Sequence, residues 1–262
     1  MRIVIKRFLI QKHVMNFVFF ITNLIQNIIN YGLFILNPIK KNGQVSLTFD
    51  DGLISVFENA YPLMKKYNVV GNVAVIINKI GTPSYMGMNH LKELQDNGWS
   101  IVSHTMNHPD LRNLNEKELD YELGESRLFL KDNNFNGFNA FVVPFHYYNV
   151  LALKKIKQHF SLSRNKSLYG MKTLGRFGIY LAPKSPSKNK HELRALPIED
   201  FYRVNQGLLK VKNYIKFCVK SNKFADLYTH GLEKSDEKYF EEIIKTISQF
   251  PDSNISYNIF LN

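Results

Sequence analysis

Val45-Ser46-Leu47-Thr48-Phe49-Asp50-Asp51-Gly52 is the stretch that sets the architecture. A short apolar, β-branched run stops at two adjacent carboxylates and a glycine, the pattern of a buried strand ending in a turn. Such a strand delivers both acids to one rim of a sheet. Alone, the pair also matches an ordinary surface turn, so the rest of the chain has to decide.

Further apolar runs at Val69–Ile77, Trp99–Val102, Ala140–Val143 and Ala225–Tyr228 read as strands. Helical patterns alternate with them: Ile54–Tyr67, with Pro62 predicting a kink or a late start, then Met88–Asn97, then a helix capped by Asn115 and reaching about Lys131. Val150–Phe160, Gly207–Ser221 and Glu237–Phe250 follow, and Ile255–Phe260 reads as a closing strand. Residues 161–200 show little beyond a Pro183–Pro186 loop. Strand then helix, repeated five or six times, predicts a parallel sheet, either barrel-like or doubly wound. Asp50-Asp51, His104, Pro144 and His230 each stand directly after an apolar run. In a parallel barrel the C-terminal strand ends share one rim, and that common address is the main structural expectation.

Composition narrows the function classes. The chain has 262 residues, 45% hydrophobic and 21% charged, and a formal charge of +12. That is a globular composition with a basic surface, suited to anionic lipid, acidic glycan or nucleic acid. No Lys/Arg block or nucleic-acid motif accompanies the charge, so nucleic acid is not an expected partner. No Gly-x-Gly-x-x-Gly or Gly-Lys-Ser/Thr follows a strand, which argues against nucleotide binding. Cys218 is the only cysteine, excluding an internal disulfide and a zinc site built from several cysteines.

Residues 1–40 form a separate N-terminal segment, and 41–262 the expected catalytic domain. Arg2, Lys6, Arg7 and Lys12 precede a charge-free run from Val14 to Ile39. Asn16, Asn23, Asn27 and Asn30 share one helical stripe, with Phe17, Phe20, Ile21, Leu24 and Ile28 turned largely away. Three accounts fit this amphipathic helix: lying in a membrane interface, spanning as a signal anchor, or packing on the domain or a second subunit. Membrane association, at a membrane or bacterial cell surface on a side left open, is the expectation.

Ser103-His104-Thr105-Met106-Asn107-His108-Pro109 holds two histidines four apart, a spacing that lets both imidazoles of one helical turn grip a single metal. Pro109 biases His108 away from helix, so the turn should be short. Two histidines and one carboxylate leave room for a water. Asp50 or Asp51 can supply that carboxylate, and the other acid is then placed to take a proton.

Thr48-Phe49-Asp50-Asp51-Gly52 followed by this histidine segment resembles the polysaccharide deacetylase family, the NodB-homology or carbohydrate esterase family 4 domain. Leu91-Lys92-Glu93-Leu94-Gln95-Asp96-Asn97-Gly98-Trp99 resembles the family's helix before that motif. The resemblance implies a distorted (β/α) barrel and a divalent metal, usually zinc. It makes Asp51, His104 and His108 the ligands and Asp50 the general base. Tyr228-Thr229-His230 resembles a late Leu-x-His motif, making His230 the general acid.

Phe141-Val142-Val143-Pro144-Phe145-His146 stands where the family often has Arg-x-Pro-Tyr/Phe-Gly, with the backbone N–H of Phe145, after Pro144, as an oxyanion donor. Val142 occupies the place of an arginine that steadies the base, and His146 replaces the glycine. Arg194 is the candidate substitute, and His146 a residue lining the site. Tyr147, Tyr148 and Tyr228 either stack on a sugar or are plain loop aromatics, whereas Trp99 and Phe49 fit the core. The implied activity is N-deacetylation of hexosamine units in a cell-surface polysaccharide or a lipid-linked sugar. A glycan-binding protein with weakened catalysis, motivated by Val142 and His146, and deacylation of another amide are the alternatives.

Overall fold

The computed structural model describes residues 43–168, 190–191, 193–202 and 205–261. The expected N-terminal helix within 1–40 and the loop at 183–186 lie outside the described residues. Seven parallel strands close a barrel in chain order: β1 (Gln44–Phe49), β2 (Asn72–Val75), β3 (Ser100–Ser103), β4 (Gly137–Val142), β5 (Leu162–Ser167), β6 (Leu193–Pro197) and β7 (Phe224–Thr229). β7 pairs with β1 from Gln44↔Phe224 to Phe49↔Thr229, so neither strand keeps a free edge. This is the (β/α) barrel that the resemblance implies, and it decides between the barrel-like and doubly wound sheets that the strand–helix alternation left open.

The helices are α1 (Tyr61–Lys66), α2 (Met88–Asp96), α3 (Glu116–Asp120), α4 (Ser126–Asp132), α5 (Val150–His159), α6 (Gly207–Lys220) and α7 (Glu237–Ile247). Helical backbone runs on from Ile54 through a π-helical turn, Val56–Ala60, into α1, and the π turn lies directly before Pro62, whose ring and missing N–H disfavour a regular α-turn there. The helix therefore begins at Ile54 as expected, and Pro62 is met by a change of helical pitch and not by a late start. Asn115 caps α3 as expected, its side chain accepting from the amides of Lys117 and Glu118. A π-helical turn at Tyr121–Glu125 links α3 to α4.

Strand alternation sorts the core into two layers. Outward residues pack under the helices. Phe49 stacks on Trp99 with ring centroids 5.6 Å apart, both buried, which confirms them as core. Each such side chain contributes about 1.5–3 kcal/mol by leaving water. Inward residues Ala74, Val102, Ala140, Val142, Leu162, Leu193 and Phe224 cluster with Ile255 and Tyr257 and with no helix residue, so they fill the barrel.

Two expectations fail for a physical reason. Ile255–Phe260 is not a closing strand but runs into a 3₁₀ turn, Tyr257–Phe260. The β1–β7 pairing leaves no edge to join, so the segment passes beneath the strand starts instead. There the amide of Tyr257 donates to Asn72 Oδ1 at 2.6 Å and its hydroxyl donates to Asp226 Oδ2 at 2.7 Å. The unreadable stretch 161–200 contains β5 and β6. The sequence of β5, LSRNKS, buries Ser163, Arg164 and Asn165 and so lacks the apolar signature of an interior strand.

Candidate active site

The rim at the strand C-termini carries the site. The amide of Asp50 donates to Thr229 O at 2.9 Å and that of His104 to Val75 O at 3.0 Å, so both residues extend the ladder by one step beyond β1 and β3. Asp51 then turns with φ 72 and Gly52 with φ 80, which swings the Asp51 carboxylate onto the rim.

His104 and His108 do not share a helical turn. Thr105 (φ 73) and His108 (φ 62) are both left-handed, and the segment is a tight loop. Pro109 excludes helix at His108, in line with its predicted bias. The loop is held from within and from behind. The amide of His108 donates to Thr105 Oγ1 at 2.8 Å. Glu122, on the turn between α3 and α4, accepts from the amides of Met106 and Asn107 at 2.9 Å each and from Asn107 Nδ2 at 2.7 Å.

The result is a triangle of donor atoms. His108 Nε2 lies 3.1 Å from His104 Nε2, and Asp51 Oδ1 lies 3.4 and 3.5 Å from those nitrogens. Ligands about 2.0–2.1 Å from a tetrahedral zinc stand about 3.3 Å apart, so the spacing fits a three-residue site with one face open. Two further observations agree. His104 Nδ1 donates to Val142 O at 2.8 Å, which turns Nε2 toward the triangle. Asp51 Oδ1 is buried with no hydrogen-bond donor of its own. Burial pushes the Asp51 carboxyl up, but the surrounding imidazoles of His104, His108 and His230 outweigh it and hold it low. Burial, then the charge of His104, lowers His108 to about 4, a shift that favours the neutral imidazole, the form able to bind a metal.

Asp50 stands behind this triangle, 4% exposed, and Arg164 holds it. The Nη2 of Arg164 donates to Asp50 Oδ1 at 2.6 Å and to Oδ2 at 2.5 Å. Arg164 is fully buried and stays charged, because the attraction of Asp50 outweighs desolvation. Arg194 is not this partner. Its neighbour Leu193 faces the barrel interior, so strand alternation sends Arg194 outward. Arg164 is instead the register partner of Val142 on the next strand. The arginine expected on β4 is supplied from the same level of β5. Tyr228 is buried, not open to a ligand, and its ring lies against the Arg164 guanidinium at 4.5 Å. Further down the barrel, burial raises Asp226 to about 7 against the opposing pull of Arg164 and Tyr257.

His230 completes the rim. Its Nδ1 donates to Glu199 Oε1 at 2.7 Å, and that bond, reinforced by the charge of Asp50, raises it to about 9 despite partial burial. Glu199 Oε2 also accepts from Thr229 Oγ1 at 2.9 Å. His146 lines the site, half-buried against Tyr228 with rings 5.2 Å apart, and burial followed by the charge of Arg164 lowers it to about 3. Phe145 and His146 are left-handed at φ 53 and 60, directly after Pro144.

Arg164, Glu199 and Glu122 are absent from the sequence-based set. Glu199 had a readable signal, an acid just past an apolar strand end at Leu196-Pro197-Ile198, as at β1. Arg164 had none beyond the strand that the alternation requires after α5.

The polysaccharide deacetylase family model matches residues 38–160, which carry Asp50, Asp51, His104, His108 and the Pro144–His146 turn. Over residues 38–160 the chain is similar to the polysaccharide deacetylase family. YxkH of Bacillus subtilis (strain 168) is 33% identical over 111 residues, 42% of this chain and 39% of that protein. The poly-beta-1,6-N-acetyl-D-glucosamine N-deacetylase of Staphylococcus epidermidis is 27% identical over 129 residues, 44% of this chain and 45% of that protein. The match thus spans less than half the length of either relative. A family 4 carbohydrate esterase from Streptomyces lividans, 12% identical, superposes with a TM-score of 0.54 over 82% of this chain and 97% of that one, and shares the fold.

Proposed function

We propose that this chain is a metal-dependent amide hydrolase that removes N-acetyl groups from hexosamine units of a glycan. One observation carries the reading: a donor triangle of metal-site dimensions shares the barrel rim with a buried carboxylate held by Arg164 and a histidine held by Glu199. Asp51, His104 and His108 would hold the ion, zinc by its nitrogen-rich donor set. When bound, it would supply Lewis-acid polarisation of the amide carbonyl and a more acidic water.

The residues then divide the proton work. Asp50, kept ionised by Arg164, accepts the proton of the attacking water. The carbonyl oxygen gains charge as the water oxygen bonds to carbon, and the Phe145 amide after Pro144 is the donor aimed at it. His230, kept protonated by Glu199, gives its proton to the sugar nitrogen as the C–N bond breaks. Acetate leaves and the amine remains. Arg164 also fills the gap at Val142 that favoured a binding-only protein.

The basic residues Arg2, Lys6, Arg7 and Lys12 followed by the charge-free run Val14–Ile39 support a substrate at a membrane surface, as a surface glycan or lipid-linked sugar. The relatives' match to an N-acetylglucosamine polymer deacetylase supports the same substrate class. Incubating the purified chain with an N-acetylglucosamine polymer should release acetate, stop on chelation, and resume with added zinc. No release from the zinc-loaded protein would reject the hydrolase reading. Recovery of the full chain in the soluble fraction of lysed cells would reject the membrane placement.

A further inference from the structure

The rim loop after β4 carries surface that the chemistry above does not use. Phe145 is 54% exposed and Tyr147 48% exposed, although both are large apolar rings. Exposed apolar groups gathered beside a site mark a binding surface. The Phe145 ring lies 4.5 Å from the His108 ring, and the Tyr147 ring lies 6.1 Å beyond Phe145 at a tilt of 33°. The two rings therefore lead outward from the reaction centre, with Tyr147 one ring further from it.

Tyr147 is also braced on one side. The guanidinium of Arg112 lies over one face of the ring at 4.0 Å, while Tyr147 stays 48% exposed. Arg112 is fixed in turn by Asp110, through Nε to Oδ1 at 3.0 Å and Nη2 to Oδ2 at 2.6 Å. The carbonyl of Arg112 accepts from Asn149 Nδ2 at 3.1 Å, and Asn149 caps α5. Asp110 lies two residues after His108, so the brace joins the aromatic loop to the histidine loop. The left-handed backbone of Phe145 and His146 is strain of the kind that scaffolds retain at working sites.

We infer that Tyr147, braced by Arg112 and continued toward the centre by Phe145, is a stacking platform for the sugar next to the one being deacetylated. This rests on the glycan reading above. An aromatic face of fixed orientation suits the C–H face of a pyranose, because little side-chain entropy is lost on contact. Asp110 already neutralises Arg112, so the platform selects a neutral ring over an anionic one. Tyr148 packs into the core beside α5, and Tyr228 is buried on Arg164, so neither offers such a face.

The test compares a β-linked N-acetylglucosamine tetramer with the monosaccharide, by calorimetric binding to the full chain. In the wild type the tetramer should bind more tightly than the monosaccharide. Tyr147→Ala should weaken tetramer binding about 10-fold and erase most of that advantage, while Tyr147→Phe keeps it. Arg112→Ala should give a smaller loss by freeing the ring. Tetramer affinity unchanged in Tyr147→Ala, or no wild-type advantage of tetramer over monosaccharide, overturns the platform. Acetate release is read in the same samples. Tyr147-dependent binding without acetate release leaves the platform standing and sinks only the hydrolase reading. Circular dichroism of each variant separates local loss from misfolding.

Discussion

β1 and β5 each supply one partner of the same buried ion pair, yet they are opposites in composition. β1 alternates Val45, Leu47 and Phe49 toward the helices with Ser46 and Thr48 inward, and ends in Asp50. β5 buries Ser163, Arg164 and Asn165 and shows only Leu162 as an apolar residue. The first strand is fixed by area removed from water. The second is held by ladder pairing to β4 and β6 and by polar bonds such as Asn165 Nδ2 to His191 O at 2.8 Å. A strand that serves a buried charge has to carry polar partners, and in doing so it gives up the pattern by which strands are read.

Breaking the β1 half should have the largest effect. Asp50→Asn should lower acetate release about 10³-fold while bound metal stays unchanged, since the ligands are untouched. Turnover within tenfold of wild type would place the base elsewhere. Breaking the β5 half should show first in stability. Arg164→Met strands a buried carboxylate, and urea unfolding should report a loss of about 3–5 kcal/mol. Combining it with Asp50→Asn should recover part of that loss; strictly additive losses would mean the two groups are not coupled. Because Val142 is the register partner of Arg164, Val142→Arg should restore some turnover to Arg164→Val.

The remaining tests leave that pair intact. Glu122→Gln loosens three bonds to the histidine loop and should weaken zinc binding about 10–100-fold in a chelator competition. The smallest effect is a displaced limb of the pH–rate profile. With His230 as acid, the rate should fall as pH rises through about 9. In Glu199→Gln that limb should move down toward the ordinary histidine value of 6.5. The same pairing stabilises the fold. Because the folded value is raised, its contribution is full below about 6.5 and disappears as pH climbs through about 9. An unmoved limb would remove Glu199 from the role.

The contrast between the strands also marks what could be read in advance. The barrel was legible because β1, β2, β3, β4 and β7 announce themselves as apolar runs, and the rim residues follow directly after them. Asp51, His104 and His108 were legible as a set because each lies within a short motif, although the local form is a strained loop and not a helix. Arg164 was not, because its meaning lies in a partner 114 residues away and in alignment with Val142 across two strands. Arg194 drew attention by proximity to an apolar run, but proximity along the chain says nothing about which face a strand residue takes.

The floor of the barrel has a consequence for the rim. Tyr257 seals the strand starts, and its hydroxyl is bonded to Asp226, whose charge is felt by Arg164 and, through it, by Asp50. All four groups are buried, so little screens one from the next. A change as small as Tyr257→Phe, at the opposite end of the molecule from the donor triangle, therefore alters the electrical setting in which Asp50 takes its proton. The plug is insulation as well as packing, and the chemistry at the top is tuned partly from underneath.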